Sequence, residues 1–287
     1  MLKKWWLSLR PFSFTASIIP VLLGAAIGAG QTNLNFTGLI ITIIAGLCYH
    51  CVANLFNSYW DWENRYDMPN SVQVIPVLLD EKFGSKALYN FSIRVLYLSI
   101  ILTILLGLLY GFLVFLIASF GLLGAYYYTA PPIAYKYRGW SLPAVFLFMG
   151  LLMPTSSYIV QTRTFSSRIL WLAVPLGLLT TAILQVNELR DYHTDLKNGG
   201  LTFTIILGRK LAVLAYQIFI FLPYFLVIWF YFKGETSILS LTTLLTITIP
   251  LNLGKEARNG NFNKLDQSTA KLHTVFGLLY LLGFIFK

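Results

Sequence analysis

Two stretches of the chain set carboxylates at helical spacing. One reads Asn57-Ser58-Tyr59-Trp60-Asp61 and runs on through Glu63 to Asp67; the other reads Asn187-Glu188-Leu189-Arg190-Asp191 and runs on to Asp195. Both open with Asn-x-x-x-Asp and add a further Asp. Residues i and i+4 share a face of a helix, so Asn57 aligns with Asp61, while Asn187, Asp191 and Asp195 form one stripe. Asp67 falls off that register. Pro69 disfavours helix at the residue before it, which places Asp67 where the helix frays and turns back. Carboxylates gathered without cations repel one another, and a divalent cation between them removes that cost. Hard oxygen ligands suit Mg²⁺, which takes one or two carboxylates and fills its shell with substrate phosphate. Two carboxylate pairs, two Mg²⁺ ions and a diphosphate make a nearly charge-balanced unit. The plainer account, solvated acids set against basic loops, leaves the repeated Asn-led spacing without a reason.

A third segment, Tyr128-Thr129-Ala130-Pro131-Pro132, ends a helix and stiffens its exit. It leads into Lys136 and Arg138, two cations able to hold a diphosphate or to anchor the loop at a membrane surface. Cys48 and Cys51 flank His50 in an apolar run; with no second Cys pair and no βαβ context, packing explains them better than a metal or redox site.

The elements that position these residues follow from composition. Of 287 residues 57% are hydrophobic and 11% are charged, against about 25% charged in a soluble domain, so a water-facing surface of ordinary polarity is excluded. No Asp, Glu, Lys or Arg occurs from Pro11 to Trp60, Val95 to Tyr135, Gly139 to Thr162, Ile169 to Asn187, Leu211 to Phe232, Thr236 to Gly254 or Leu272 to Phe286. A crossing helix needs roughly 20 apolar residues; the first two windows each hold two crossings and the others one. The expectation is an all-α polytopic membrane protein, a bundle of nine transmembrane helices near 12–30, 39–57, 88–108, 111–128, 142–159, 169–187, 211–232, 237–254 and 269–286. A short interfacial helix over residues 1–10 precedes them, with Trp5 and Trp6 at headgroup depth, and residues 1–287 form a single intramembrane domain.

Of the 21 basic residues, only Arg163, Arg168, Lys233 and Lys287 fall on the side opposite the N-terminus. The positive-inside rule therefore sets the N-terminus and all three segments on the cytoplasmic side of a cell inner membrane. The basic residues are scattered between apolar spans and form no patch for nucleic acid. A transporter is the competing class, yet no charge-free window carries the intramembrane charge that transport calls for.

On these residues the chain resembles the UbiA-type intramembrane prenyltransferases, and most the branch that prenylates 1,4-dihydroxy-2-naphthoate for menaquinone synthesis. The matching pieces are Arg10-Pro11 with Ser17, Pro20 and Gly24, the Asn57/Asp61/Asp67 loop, Tyr128 with Pro131-Pro132, the Asn187/Asp191/Asp195 segment, Gly208-Arg209 and Thr269 to His273. The resemblance implies Mg²⁺ held by Asp61, Asp67, Asp191 and Asp195 with Asn57 and Asn187 adjoining, and a polyprenyl diphosphate contacted by Lys136 and Tyr128. It further implies an aromatic acceptor and a cavity open to membrane lipid. Lys136, Arg138 and Arg190 are the loop cations expected to meet the anionic substrates, and Lys197 and Lys82 supply basic charge beside the Asp segments.

Overall fold

The computed structural model describes residues 2–67, 69, 74–80 and 82–287; Ser71, Val72 and Gln73, which follow the first Asp segment, lie outside them. Twelve α-helices make up the described chain, and no strand longer than one isolated bridge occurs among the described residues. They are α1 (Leu2–Ser8), α2 (Thr15–Ala29), α3 (Phe36–Glu63), α4 (Gly84–Tyr110), α5 (Phe112–Tyr127), α6 (Ser141–Val145), α7 (Met153–Thr162), α8 (Arg168–Lys197), α9 (Phe203–Leu207), α10 (Arg209–Phe232), α11 (Thr248–Arg258) and α12 (Leu265–Ile285).

Seven segments are long and apolar enough to cross a membrane: Pro11–Ala29, α3, α4, Ser141–Thr162, α8, α10 and α12. An eighth is broken, a 3₁₀ stretch over Ile238–Thr246 bent by 40° against α11. The remaining expected span, α5, is apolar but only 16 residues long, under the roughly 20 of a full crossing. All nine expected segments thus appear as helix, while length alone carries seven crossings, or eight with the broken one.

Two boundaries differ from expectation in a way that matters. Helix α3 continues to Glu63 and α8 to Lys197, so Asp61, Asp191 and Asp195 project from helix and not from loops. Absence of Pro and Gly between Asn57 and Glu63, and between Asn187 and Lys197, lets each helix run on past its apolar stretch. The chain leaves α3 through a left-handed Arg65 (φ 61°) and folds back, the Asp67 N–H donating to the Asp61 carbonyl at 2.9 Å. Asp67 accordingly returns toward Asp61, as Pro69 demands.

Close packing holds the bundle together where apolar burial alone drives little association in lipid. At Gly24 of α2 an added Cβ would stand 2.0 Å from the Pro154 carbonyl oxygen of α7, and at Gly28 it would stand 2.7 Å from Gln161 Cβ. Ser157 locks the same seam by donating to the Val21 carbonyl at 2.7 Å. Between α6 and α7 the backbone widens into a π-helical segment, Phe146–Leu152, that brings Gly150 against Gly177 of α8. Such bulges re-aim side chains, and here Phe148, Met149 and Leu152 turn toward an internal cavity. In the broken span, Thr242, Thr243 and Thr246 hydroxyls donate to carbonyls three residues back at 2.6–2.8 Å, satisfying backbone groups that lipid would leave unpaired.

Candidate active site

The ends of α3, α5 and α8, together with Arg10, converge on one cavity of about 410 Å³. From α3 come Asn57 and Asp61, with Tyr66 and Asp67 from the turn after it; from the segment after α5 come Tyr128 and Lys136; α8 supplies Asn187, Glu188, Arg190, Asp191 and Asp195. A parallel bridge between Arg138 and Leu201 ties the segment after α5 to the one after α8, so all three motifs sit at the same end of the bundle.

Asp61 is buried and fully engaged. Lys136 Nζ donates to Asp61 Oδ1 and Oδ2 at 2.8 and 2.7 Å and to Asn57 Oδ1 at 2.8 Å, using all three ammonium donors. Asn57 Nδ2 donates to Asp61 Oδ2 at 2.8 Å, and the Tyr137 hydroxyl donates to Oδ1 at 2.7 Å. Tyr137 is held in turn by stacking on Tyr66, centroids 4.7 Å apart. Burial, and then the Asp61 carboxylate, push the Asp67 carboxyl up to about 6.

Across the cavity, Arg190 Nε and Nη2 donate to the two Asp191 oxygens at 3.1 and 3.2 Å, and Nη1 donates to Asp266 Oδ2 of α12 at 3.0 Å. Glu188 accepts from the Ser141 hydroxyl and from the Thr204 N–H at 3.0 Å, fastening α8 to the starts of α6 and α9. Asn187 Oδ1 is buried without a hydrogen-bond partner among the described residues, in a residue that lines the cavity. A buried acceptor left open costs about 1–3 kcal/mol, which suits an oxygen reserved for a ligand.

Several expected residues fall elsewhere. Arg138 is exposed, donating to the Pro132 carbonyl at 2.9 Å, and Lys197 is exposed near the end of α8; neither lines the cavity. Arg190 lines it, but its guanidinium is committed to two carboxylates. Lys136 sits inside a 3₁₀ turn, Tyr135–Tyr137, entered through a left-handed Ala134 (φ 42°), and Arg138 lies just beyond it. Sequence reasoning passed over Tyr137, Glu188, Tyr66 and Asp266 as site residues. Tyr137 and Glu188 were signalled only by adjacency to Lys136 and Asn187; nothing local marks Asp266, which tertiary packing delivers.

A second cavity, about 170 Å³, opens from the first and runs into the apolar body of the bundle. Five residues line both: Arg10, Asn54, Tyr128, Leu184 and Asn187. Arg10 reaches this neck from a left-handed backbone (φ 55°) just ahead of Pro11, its Nη2 3.4 Å from Ser58 Oγ. Beyond the neck, Ala45, Gly46, Ala53, Ala118 and Gly121 leave room between α3 and α5, with Tyr49 and Phe148 among the larger walls.

The donors present fit Mg²⁺ in type: hard carboxylate and amide oxygens facing one cavity, with an open acceptor on Asn187. No three Asp, Glu, His or Cys side chains among the described residues converge tightly enough to enclose one ion. Asp61 and Asp191 are instead held in ion pairs with Lys136 and Arg190.

A profile of the UbiA prenyltransferase family matches residues 17–278. UbiA prenyltransferase domain-containing protein 1 of Xenopus tropicalis is 31% identical over 283 residues, covering 97% of this chain and 81% of its own, and the Mus musculus protein of that name is 32% identical with 97% and 83% coverage. The solved structure of a UbiA homologue from Archaeoglobus fulgidus bound to GPP and Mg²⁺ shares the fold at TM-score 0.66 and 14% identity, covering 99% of this chain and 100% of its own. Helices, cavity and matches agree: this chain belongs to the UbiA prenyltransferase family and is an integral membrane prenyltransferase.

Proposed function

We propose that the protein transfers a prenyl group from an allylic polyprenyl diphosphate to an aromatic acceptor in a Mg²⁺-dependent reaction, with Asp61, Asp67, Asp191 and Asp195 as metal ligands and Asn57 and Asn187 beside them. One observation carries the reading: a carboxylate-lined cavity narrows through a five-residue neck into an apolar one, the shape of a molecule with an anionic head and a hydrocarbon tail. The structures of a UbiA homologue from Archaeoglobus fulgidus bound to GPP and Mg²⁺ and to DMAPP and Mg²⁺ support the same donor class here.

When bound, Mg²⁺ would neutralise the diphosphate and make it a better leaving group. The chain's own residues supply the remainder. Lys136 pairs with Asp61 in this structure and would serve as the diphosphate's cation were that carboxylate to hold the metal. Tyr128, at the neck, faces the junction of head and tail, where the allylic carbon has to lie for both ends to be accommodated. Aromatic faces there stabilise developing positive charge, and the apolar walls keep water from capturing it. Bond making follows at a ring carbon of the acceptor, which then loses its proton or its carboxyl group.

For the acceptor we propose 1,4-dihydroxy-2-naphthoate, on the resemblance of the Asn187 to Asp195 segment and the Tyr128 loop to the enzymes that use it. Complementation of a host lacking its own naphthoate prenyltransferase tests this: demethylmenaquinone is expected, and its absence from cells that express the protein well would return the acceptor to another phenol or lipid. The proposed orientation sets the N-terminus and the polar cavity on the cytoplasmic side of a cell inner membrane, the side that holds most Lys and Arg.

A further inference from the structure

The apolar cavity has a measurable depth. On α3 its wall runs from Asn54 at the neck to Thr42, twelve residues apart, which is about 18 Å of helix rise. On the α5 side it runs from Tyr128 at the neck to Ile117, eleven residues and about 17 Å. Both helices therefore give one depth, counted from the place where the head and tail of the donor meet. Three bonds of an extended chain span about 3.3–3.6 Å, so the four-bond repeat of an isoprenoid covers roughly 4.5–5 Å.

Past Thr42 the helices close. One turn on, at Gly38, an added Cβ would stand 2.6 Å from Val160 Cγ1 of α7 and 2.9 Å from the Tyr110 hydroxyl of α4, and both of those residues are buried. The Thr42 hydroxyl donates to the Gly38 carbonyl at 2.7 Å. Leu106 of α4 lies between Thr103, which is hydrogen-bonded to Tyr49, and Tyr110, which packs on Gly38; it lines the cavity near this floor. One flank is shut as well. At Gly124 of α5 an added Cβ would stand 2.6 Å from the Phe148 ring, and the Phe120 ring meets Phe148 edge-on with centroids 5.0 Å apart. A tail that enters at the neck can run on neither past Gly38 nor between α5 and the π-helical segment without displacing these contacts.

We propose that this cavity is a closed-ended gauge of the donor's tail that takes about three to four isoprene units, and that Gly46 of α3 is the specificity-determining residue whose missing side chain admits the last of them. Gly46 lines the cavity eight residues from Asn54, about 12 Å along the helix and so beyond the second isoprene repeat. An added Cβ there meets nothing nearer than the Met153 side chain at 3.6 Å and Val21 Cγ2 at 3.7 Å, so a small residue at this position leaves space that a tail can fill. Leu106 bounds the far end of that space. Longer tails would have to part α3 from α7 at Gly38, or α5 from Phe148, and lose packing that holds the bundle together. The inference rests on the proposed prenyl diphosphate donor and adds the length of its tail.

Binding of labelled all-trans prenyl diphosphates of two, four and six isoprene units to the full-length protein in detergent with Mg²⁺ tests it. Each affinity is expressed as the ratio of variant to wild type, which cancels the tail's own preference for detergent. Gly46→Leu is expected to weaken binding of the four-unit donor about tenfold or more and to leave the two-unit donor within about twofold, at a melting temperature close to wild type. Leu106→Ala, which deepens the floor, is expected to improve binding of the six-unit donor relative to the four-unit one; it decides the matter should Gly46→Leu fail to fold. Equal effects on two-unit and four-unit donors in a folded Gly46→Leu protein, or unchanged length preference in Leu106→Ala, overturn the gauge and leave the prenyl donor standing. Failure of the wild-type protein to bind a prenyl diphosphate of any length overturns both.

Discussion

Asp61 carries four hydrogen bonds, two of them from Lys136, so the proposed metal would compete with lysine for one carboxylate. Lys136→Met is expected to raise Mn²⁺ affinity measured without diphosphate by about tenfold, since a charge-assisted hydrogen bond is worth roughly 1.5 kcal/mol or more, and to lower affinity for a prenyl diphosphate. Equilibrium dialysis with each ligand separately checks both halves; weaker metal binding would remove Lys136 from this role. Asp61→Asn and Asp191→Asn are each expected to abolish turnover while the protein still folds. A rate above about a tenth of wild type in both, a barrier change under roughly 1.4 kcal/mol, would refute the ligand assignment. At this scale the sequence was informative where spacing encodes geometry: the i, i+4 relation of Asn57 with Asp61 and of Asn187 with Asp191 reappears as shared cavity walls. It was silent where chemistry depends on approach from other helices. Arg138 and Lys136 look equivalent in sequence, yet only Lys136 reaches the cavity, and Asp266 has no local motif to mark it.

Charge-free windows located the helices because lipid admits few charges, and the nine expected segments all appear as helix. Helix ends were less legible. Hydropathy ends the expected spans near residues 57 and 187, whereas α3 and α8 continue to Glu63 and Lys197, because hydrogen bonding along the helix does not depend on hydropathy. The π-helical stretch at Phe146–Leu152 and the 3₁₀ half of the broken span likewise follow from packing against neighbours. Two substitutions test the packing account. Gly24→Leu would drive a side chain into the Pro154 carbonyl of α7 and is expected to cost about 1–3 kcal/mol or more, read as a lowered melting temperature; wild-type stability would contradict the seam. Gly121 of α5 is different: an added Cβ meets only Tyr49 Cδ2, at 4.0 Å, and the residue lines the apolar cavity. Gly121→Leu is therefore expected to leave the fold intact and to reduce use of long prenyl donors more than short ones, measured as the ratio of kcat/KM values; an unchanged ratio would place the tail elsewhere.

For the molecule as a whole, the arrangement is an amphipathic cavity with its charged mouth at one end of an apolar bundle. The proposed orientation rests on charge placement and is checked by labelling. In a protein whose Cys48 and Cys51 are replaced, a cysteine at the exposed Asn198 is expected to resist an impermeant thiol reagent in intact cells and to react in inverted vesicles. A cysteine at the exposed Thr164, between α7 and α8, is expected to do the reverse; labelling of Asn198 from outside would invert the topology. The central claim, that the carboxylate-lined cavity and its apolar extension together carry out prenyl transfer, is tested most directly by one measurement. Purified protein in lipid is incubated with labelled allylic polyprenyl diphosphates and a panel of aromatic acceptors that includes 1,4-dihydroxy-2-naphthoate, with Mg²⁺ or with a chelator, and the lipid products are analysed by mass spectrometry. The account predicts a prenylated aromatic product that forms with Mg²⁺, disappears with the chelator and is absent for Asp61→Asn. Equal product with and without the metal, or full activity in the Asp61→Asn protein, would contradict it.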